Sequence, residues 1–337
     1  MITTENAKIS NTNCRIPLLA IVGCTASGKT ALAIELARRI CGEIVICDSM
    51  QVYSGMEIGT AAPTDEERNA VPHHLVGVRD PMSPYSAQDY VKDASDAVVD
   101  ISKRGRIPIL CGGTGLYLDA FLRGGYPEDG VPDPTIRRNL LDRLEKEGPQ
   151  SLYETLSALD PEAAAATHPN NVKRVLRALE IYYTTGETKT ARDQRTTGAA
   201  SPYRALVIGI GFHNRETLYA RIHERVDRML ASGLVQETLR LDRAGVFEAN
   251  QTAAQAIGYK ELLGAVRGNE PMEQAVEALK QATRRYAKRQ QTWFSSKDYV
   301  RWIYADDTTG TVRPFDAILR DAEDLTGPFL HPVTPDQ

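Results

Sequence analysis

The chain has 337 residues, 42% of them hydrophobic and 25% charged, with a formal net charge of −4. This suits one large domain or two medium ones that bury a sizeable core without covalent staples, and it argues against a uniformly basic nucleic-acid binder while leaving local basic stripes open. The five cysteines (Cys14, Cys24, Cys41, Cys47 and Cys111) are odd in number and form no C-x-x-C pair, so neither a disulfide framework nor a zinc site is indicated. Residues 1–16 are polar and lack the apolar middle of a signal peptide, and no later apolar run approaches the roughly 20 residues that span a membrane. A cytoplasmic protein with no membrane partner is expected.

In chain order, an apolar run from Leu18 to Val22 enters Gly23-Cys24-Thr25-Ala26-Ser27-Gly28-Lys29-Thr30, followed by a helical pattern from Thr30 to Ile40. Strand, G-x-x-x-x-G-K-[ST] loop and helix together predict a phosphate-binding loop. The glycines let the backbone wrap a phosphate, amide N–H groups converge on it, and the helix adds its positive end. Lys29 supplies a point charge, and the Thr30 hydroxyl stands where a phosphate-bound Mg²⁺ would sit. Gly23, Thr25, Ala26, Ser27, Gly28, Lys29 and Thr30 are therefore candidate phosphate ligands.

Glu43 to Cys47 reads as a second buried strand ending in Asp48-Ser49-Met50-Gln51-Val52-Tyr53. In an open parallel sheet the ligand crevice lies at the carboxyl ends of the strands, which puts Asp48 beside the loop; its plainer role is a cap or Asx turn. Gly55 to Pro63 reads as a loop. His73 and His74 are expected to be structural or substrate-lining rather than metal ligands. Ser86 to Lys103 carries apolar residues at helical spacing, and Ile107 to Cys111 is a third strand, running into Gly112-Gly113-Thr114-Gly115-Leu116-Tyr117. There, glycines bring backbone close to a ligand and Thr114 offers a hydroxyl.

From Tyr126 the character changes. Prolines at 127, 132 and 134 punctuate a linker, after which Ile136 to Ile181 is helical in pattern, with breaks at Gly148-Pro149, Asp160-Pro161 and His168-Pro169. Gly186 to Ser201 reads as a returning loop, and Ala205 to Ile210 as another core strand. The expected fold is α/β, a P-loop NTPase-like parallel sheet flanked by helices with an inserted all-helical domain. The division is a flexible tail (1–16), a discontinuous core (17–126 and 202–305), the insertion (127–201) and a loosely ordered C-terminal tail (306–337). Leu218 to Leu230 is an amphipathic helix with Arg221 and Arg225 on its polar face, read as solvated charges. Lys280, Arg284 and Lys288 repeat every four residues beside Arg285 and Arg289, with no acidic residue from Lys280 to Ser296 and Trp293 and Phe294 at the end. Such a stripe on an acidic chain points to RNA or another polyanion.

Taken together, these stretches resemble the tRNA dimethylallyltransferases, or tRNA isopentenyltransferases, over roughly Pro17 to Lys297. The motifs that carry the resemblance are Gly23 to Thr30, Asp48 to Tyr53 with Gly55 to Ala61, and Gly112 to Tyr117. They continue with Asn171 to Glu180, Arg221 to Leu230, Ala256 to Lys260, Ala287 to Gln290 and Thr292 to Phe294. Cys24 departs from the usual proline and is expected to add a reactive thiol; Ser295 stands where a basic residue is frequent. The resemblance implies transfer of a dimethylallyl group from dimethylallyl diphosphate to the exocyclic amine of the adenosine 3′ of the anticodon. The loop, Arg225 and Mg²⁺ would hold the diphosphate. Asp48 would take the amine proton, with Thr114 holding carboxylate or amine in line, and a flipped adenine would sit among Ser49, Met50 and Gln51. Further tRNA contacts implied by the resemblance are Arg137, Lys173, Arg174, Arg177, Gln255, Gly258, Tyr259, Lys260, Lys288, Arg289, Gln290, Thr292 and Trp293. The anticodon loop of tRNA is the implied partner, and a monomer is expected. An isopentenyltransferase acting on free adenine nucleotides, a small-molecule P-loop kinase and a non-enzymatic RNA-binding module stay open as alternatives.

Overall fold

The computed structural model describes residues 15–125, 133–197 and 201–331. The chain divides into two compact units, one of Met1–Leu122 with Pro202–Gln337 and one of Arg123–Ser201. The first is built on a six-stranded sheet: β1 (Ile16–Gly23), β2 (Gly42–Ile46), β3 (His73–His74), β4 (Ile107–Gly112), β5 (Tyr203–Gly211) and β6 (Val300–Tyr304), in the order β3-β2-β4-β1-β5-β6. Each pairing is parallel, and Ile21 of the central strand stands level with Cys111 on one side and Ile208 on the other. Parallel pairing requires crossover segments on the sheet faces, so the inner strands are buried on both sides and are predominantly apolar. Leu18, Leu19, Ala20 and Ile21 fit that pattern with no exposure at all. The same geometry sends the carboxyl ends of β1, β2, β4 and β5 to one edge of the sheet.

Two strands escape the sequence reading. The first, β3, has two residues, too few to show a period, and it is fixed by side chains as much as by pairing: His74 Nε2 lies 2.7 Å from Glu43 Oε2, and His73 Nδ1 lies 2.7 Å from the Val71 carbonyl. The second, β6, adds an edge beside β5. The expected loop from Gly55 to Pro63 contains a short helix, Glu57–Thr60.

The expected tail beyond Ala305 is a correction. Helix Phe315–Leu330 buries Ile318, Leu319, Ala322 and Thr326 along one side, a helical apolar stripe that joins the cluster containing Leu32, Leu36 and Ile303. Arg39 ties it to the helix after the phosphate loop through Glu323 at 2.7 Å. The N-terminal tail boundary also moves by one residue, because Ile16 already pairs with Tyr203 of β5.

The second unit is helical, with helices Pro134–Leu159, Pro161–Ala165, Val172–Thr185 and Lys189–Thr197 around Leu140, Leu152, Leu156, Val175, Leu176 and Leu179. The long helix breaks at Gly148, whose φ of 80° only glycine adopts at little cost, just before Pro149. The expected returning loop is the other correction. Lys189–Thr197 is helical because Thr190 donates from its amide and hydroxyl to Asp160 (2.9 and 2.6 Å) and Lys189 pairs with Asp193 one turn on. Most of the proline-rich linker falls outside the described residues.

Candidate active site

The phosphate loop leaves β1 at Gly23 and closes at Gly28, whose φ of 93° starts helix Lys29–Arg39 without a side-chain cap. Ala26 also holds a left-handed φ of 63°. This turn aims the first-turn amides of the helix, which have no partner within it, toward the space above the strand ends. Lys29 Nζ donates to the Cys24 carbonyl at 3.3 Å, folding the side chain back over the loop. Burial pulls the Lys29 ammonium below its usual range, and neighbouring Arg225 adds to the effect. A cation destabilised in this way gains most when a phosphate arrives.

Past β2, Asp48 Oδ1 accepts from the amides of Met50 (2.9 Å) and Gln51 (3.4 Å), so the Asx turn considered as its plainer role is present. Asp48 also lines a cavity. The Thr114 hydroxyl, just past β4, accepts from the Ser49 amide at 3.1 Å. Thus Thr114 braces the backbone next to Asp48. Close contact is obligatory here: a Cβ on Gly112 would lie 2.0 Å from the Cys47 carbonyl oxygen. Gln51 donates to the carbonyls of Thr60 (3.2 Å) and Ala61 (3.3 Å), securing the opposite wall.

A cavity of about 230 Å³ joins these elements, with Thr25, Lys29 and Arg225 at one part of its lining, Asp48, Ser49, Met50 and Gln51 at another, and Val226, Met229, Ile257 and Leu279 as apolar wall. Arg221 and Arg225 are therefore not solvated charges. Arg221 Nε donates to the Ala26 carbonyl in the phosphate loop at 3.0 Å, and burial lowers the pKa of Arg225. The Cys24 expectation is also corrected: the thiol is 3% exposed and burial, outweighing the pull of Lys29, raises its pKa to about 11, so it stays protonated.

The residues assigned to tRNA by resemblance fall into separate groups. Arg137, Lys173, Arg174 and Arg177 lie exposed on helices of the helical unit, where Glu180 pairs with Arg137 and Arg177. In the sheet unit, Gln255, Lys260, Lys288, Arg289 and Thr292 are exposed, and Lys260 Nζ donates to Gln255 at 3.1 Å. Gly258 is buried, and Trp293 is half-buried, its ring so close to Gly115 that a Cβ there would lie 2.2 Å from it. Tyr259 is a correction: it is fully buried, donating to Glu237 Oε1 (2.7 Å) and near the Met56 carbonyl (2.9 Å), and cannot touch a macromolecule. Gln290 is 5% exposed, with both ends of its amide engaged by backbone, and it lines the cavity. The basic stripe is partly neutralised, since Lys280 pairs with Asp227 at 2.7 Å and Arg284 with Glu277 at 3.5 Å. Its counter-charges come partly from another helix, where sequence spacing could not show them.

Among the cavity residues missed from sequence are Val226, Met229, Leu279, Thr283 and Tyr286. For three of them the signal was available: Leu279, Thr283, Tyr286 and Gln290 recur at spacings of four, three and four along helix Met272–Ser295.

A parallel sheet whose central strand feeds a glycine loop, with cations and a carboxylate gathered at the strand ends, defines a P-loop-like α/β protein. A family model described as IPP transferase matches residues 51–297. A tRNA dimethylallyltransferase of Geobacter metallireducens is 48% identical over 286 residues, covering 85% of this chain and 92% of that protein. One from Thermoanaerobacter sp. is 41% identical over 293 residues, covering 87% and 93%. Among solved structures, a tRNA isopentenylpyrophosphate transferase of Bacillus halodurans superposes with a TM-score of 0.68 at 41% identity, covering 93% of this chain and 96% of that one. A eukaryotic dimethylallyltransferase acting on tRNA gives a TM-score of 0.78 at 30% identity, covering 96% and 81%. The chain belongs to the IPP transferase family.

Proposed function

We propose that this protein is a tRNA dimethylallyltransferase, which moves a dimethylallyl group from dimethylallyl diphosphate to the exocyclic amine of the adenosine next to the anticodon on its 3′ side. The observation that carries this reading is that one cavity holds a cationic phosphate loop, a carboxylate and an apolar wall. A kinase needs the first two; the wall of Val226, Met229, Ile257 and Leu279 suits a short branched hydrocarbon. In the reaction a C–N bond forms to the allylic carbon, the C–O bond to the diphosphate breaks, and the amine loses a proton.

Each residue then has a task. Lys29, Arg225 and the loop amides neutralise charge that grows on the departing diphosphate, in a site where burial strengthens the interaction. Asp48 accepts the amine proton, its carboxylate oriented by the amides of Met50 and Gln51. Thr114 holds the Ser49 backbone so that Asp48 faces the amine. The apolar wall excludes water, which would otherwise compete for the allylic carbon. An adenine stacked in an anticodon loop cannot reach such a cavity, so it must be flipped out, at an unstacking cost of a few kcal/mol. Exposed Lys288 supplies phosphate contacts outside it, and Arg289, also exposed, adds a cation to its lining.

Among the described residues no group of three or more His, Cys, Asp or Glu side chains could hold a metal by itself. The Thr30 hydroxyl at the start of the loop helix fits Mg²⁺ that would arrive with the diphosphate, where the ion would offset leaving-group charge while Asp48 stays free to act as base. Among the described residues no helix is long and apolar enough to cross a membrane.

The test is transfer of labelled dimethylallyl to unfractionated tRNA, with free adenine nucleotides as competing acceptors, using wild type and Asp48→Asn. Label entering tRNA and falling by roughly 10²–10⁴-fold with Asp48→Asn is expected for a lost general base. Label in free nucleotide, or none in either, would refute the assignment.

A further inference from the structure

We propose that Gln290 is a positioning residue that sets the spacing between the loop holding the leaving group and the loop facing the acceptor amine. This inference rests on the reaction proposed above. The Gln290 carbonyl oxygen accepts from the Thr25 amide at 2.9 Å, and its NH₂ group donates to the Gly113 carbonyl at 2.9 Å. Thr25 belongs to the phosphate loop and precedes Ala26, which holds the left-handed turn. Gly113 precedes Thr114, whose hydroxyl accepts from Ser49 beside Asp48. One side-chain amide therefore connects the diphosphate cradle to the carboxylate through two short backbone steps.

The fit leaves little freedom. A Cβ on Gly113 would lie 2.1 Å from Gln290 Nε2, so the strap requires glycine there. Thr25 comes before the helical amides from Lys29 onward, so the strap braces the loop without occupying the donors at the start of the helix. The helix that carries Gln290 also presents Lys288 and Arg289 to solvent, so the element with the exposed cations is pinned to both reacting loops. Displacement at carbon needs nucleophile and leaving group in line, and a misplacement near 1 Å costs on the order of 10²-fold in rate.

The experiment compares wild type with Gln290→Met, of similar length with neither bond, Gln290→Glu, which keeps the acceptor and loses the donor, and Gly113→Ala, which displaces the strap. Steady-state transfer to tRNA, thermal unfolding and amide exchange at Thr25 are measured on each. The expected result for Gln290→Met is a fall in kcat of about 10–100-fold, with KM for both substrates within about 3-fold and faster exchange at Thr25. Gly113→Ala should reproduce it and Gln290→Glu should fall between. A raised KM for tRNA at unchanged kcat would make Gln290 an RNA contact and overturn the proposal; so would unchanged kinetics in a folded variant. If Gln290→Met does not fold, the kinetics of Gln290→Glu decide by the same criteria. Wild type that transfers nothing fails the underlying reaction instead, and equal Thr25 exchange in wild type and variants then overturns the strap itself.

Discussion

Replacing Tyr259 by Phe separates two accounts of one residue, because resemblance places it against tRNA whereas the structure buries it. The hydroxyl lies 2.7 Å from Glu237 Oε1, and the Glu237 carboxylate, 2% exposed, also accepts from the amides of Ile58 (3.1 Å) and Gly59 (2.8 Å). Removing the hydroxyl leaves the ring in place and deprives a buried carboxylate of one donor, a loss of roughly 2 kcal/mol for a hydrogen bond to a charged group. For a folding unit of this size each kcal/mol moves the midpoint by about 2–4 °C, so thermal unfolding should shift down by roughly 4–8 °C. Burial, with Glu237 next in effect, raises the phenol pKa, so the donor is present throughout neutral pH and the shift should not vary there. Binding of tRNA, measured below the unfolding range, should be unchanged. A midpoint within about 1 °C of wild type together with weaker tRNA binding would refute the reasoning.

Glu43 gives an acid-sensitive contribution. Burial alone would raise its pKa, but the bonds from Arg104 and His74 outweigh this and hold it below the ordinary 4.5, so the stability it adds is complete above that value and is lost as pH falls through the folded-state pKa. Urea midpoints near pH 7 and near pH 3 should therefore fall further for wild type than for Glu43→Gln; equal falls would contradict this. Exposed Cys41 should alkylate readily in the native protein, whereas Cys24, Cys47 and Cys111, whose pKa values burial raises to about 11, 12 and 11, should not, and peptide mass spectrometry that finds Cys24 modified as fast as Cys41 would overturn it. Lys288→Ala should weaken tRNA binding and lower the slope of log K against log salt by about one, with a smaller effect for Lys280→Ala, whose ammonium already pairs with Asp227 at 2.7 Å. Equal slopes for the two variants would remove the distinction.

The sequence by itself determined the features that depend on chain-local physics. The phosphate loop was legible because strand, glycines, lysine and helix are contiguous, and the central strands because burial on both faces favours a predominantly apolar run. Asp48 and Thr114 were legible as strand-end residues, since parallel pairing sends those ends to one edge. Only the tertiary structure decided what each side chain faces. Arg225 and Lys280 carry the same charge in helical sequence, yet one lines the cavity and the other is neutralised by Asp227 from a different helix. Tyr259 and Gln290 lie in motifs that resemblance assigns to RNA, but Glu237, Thr25 and Gly113 meet them across 22, 265 and 177 residues. Periodicity reports which face of an element turns inward; it carries no information about which other face it meets. The partner sets burial, charge state and hydrogen bonding, and so decides whether a polar residue binds a ligand or holds the site that does.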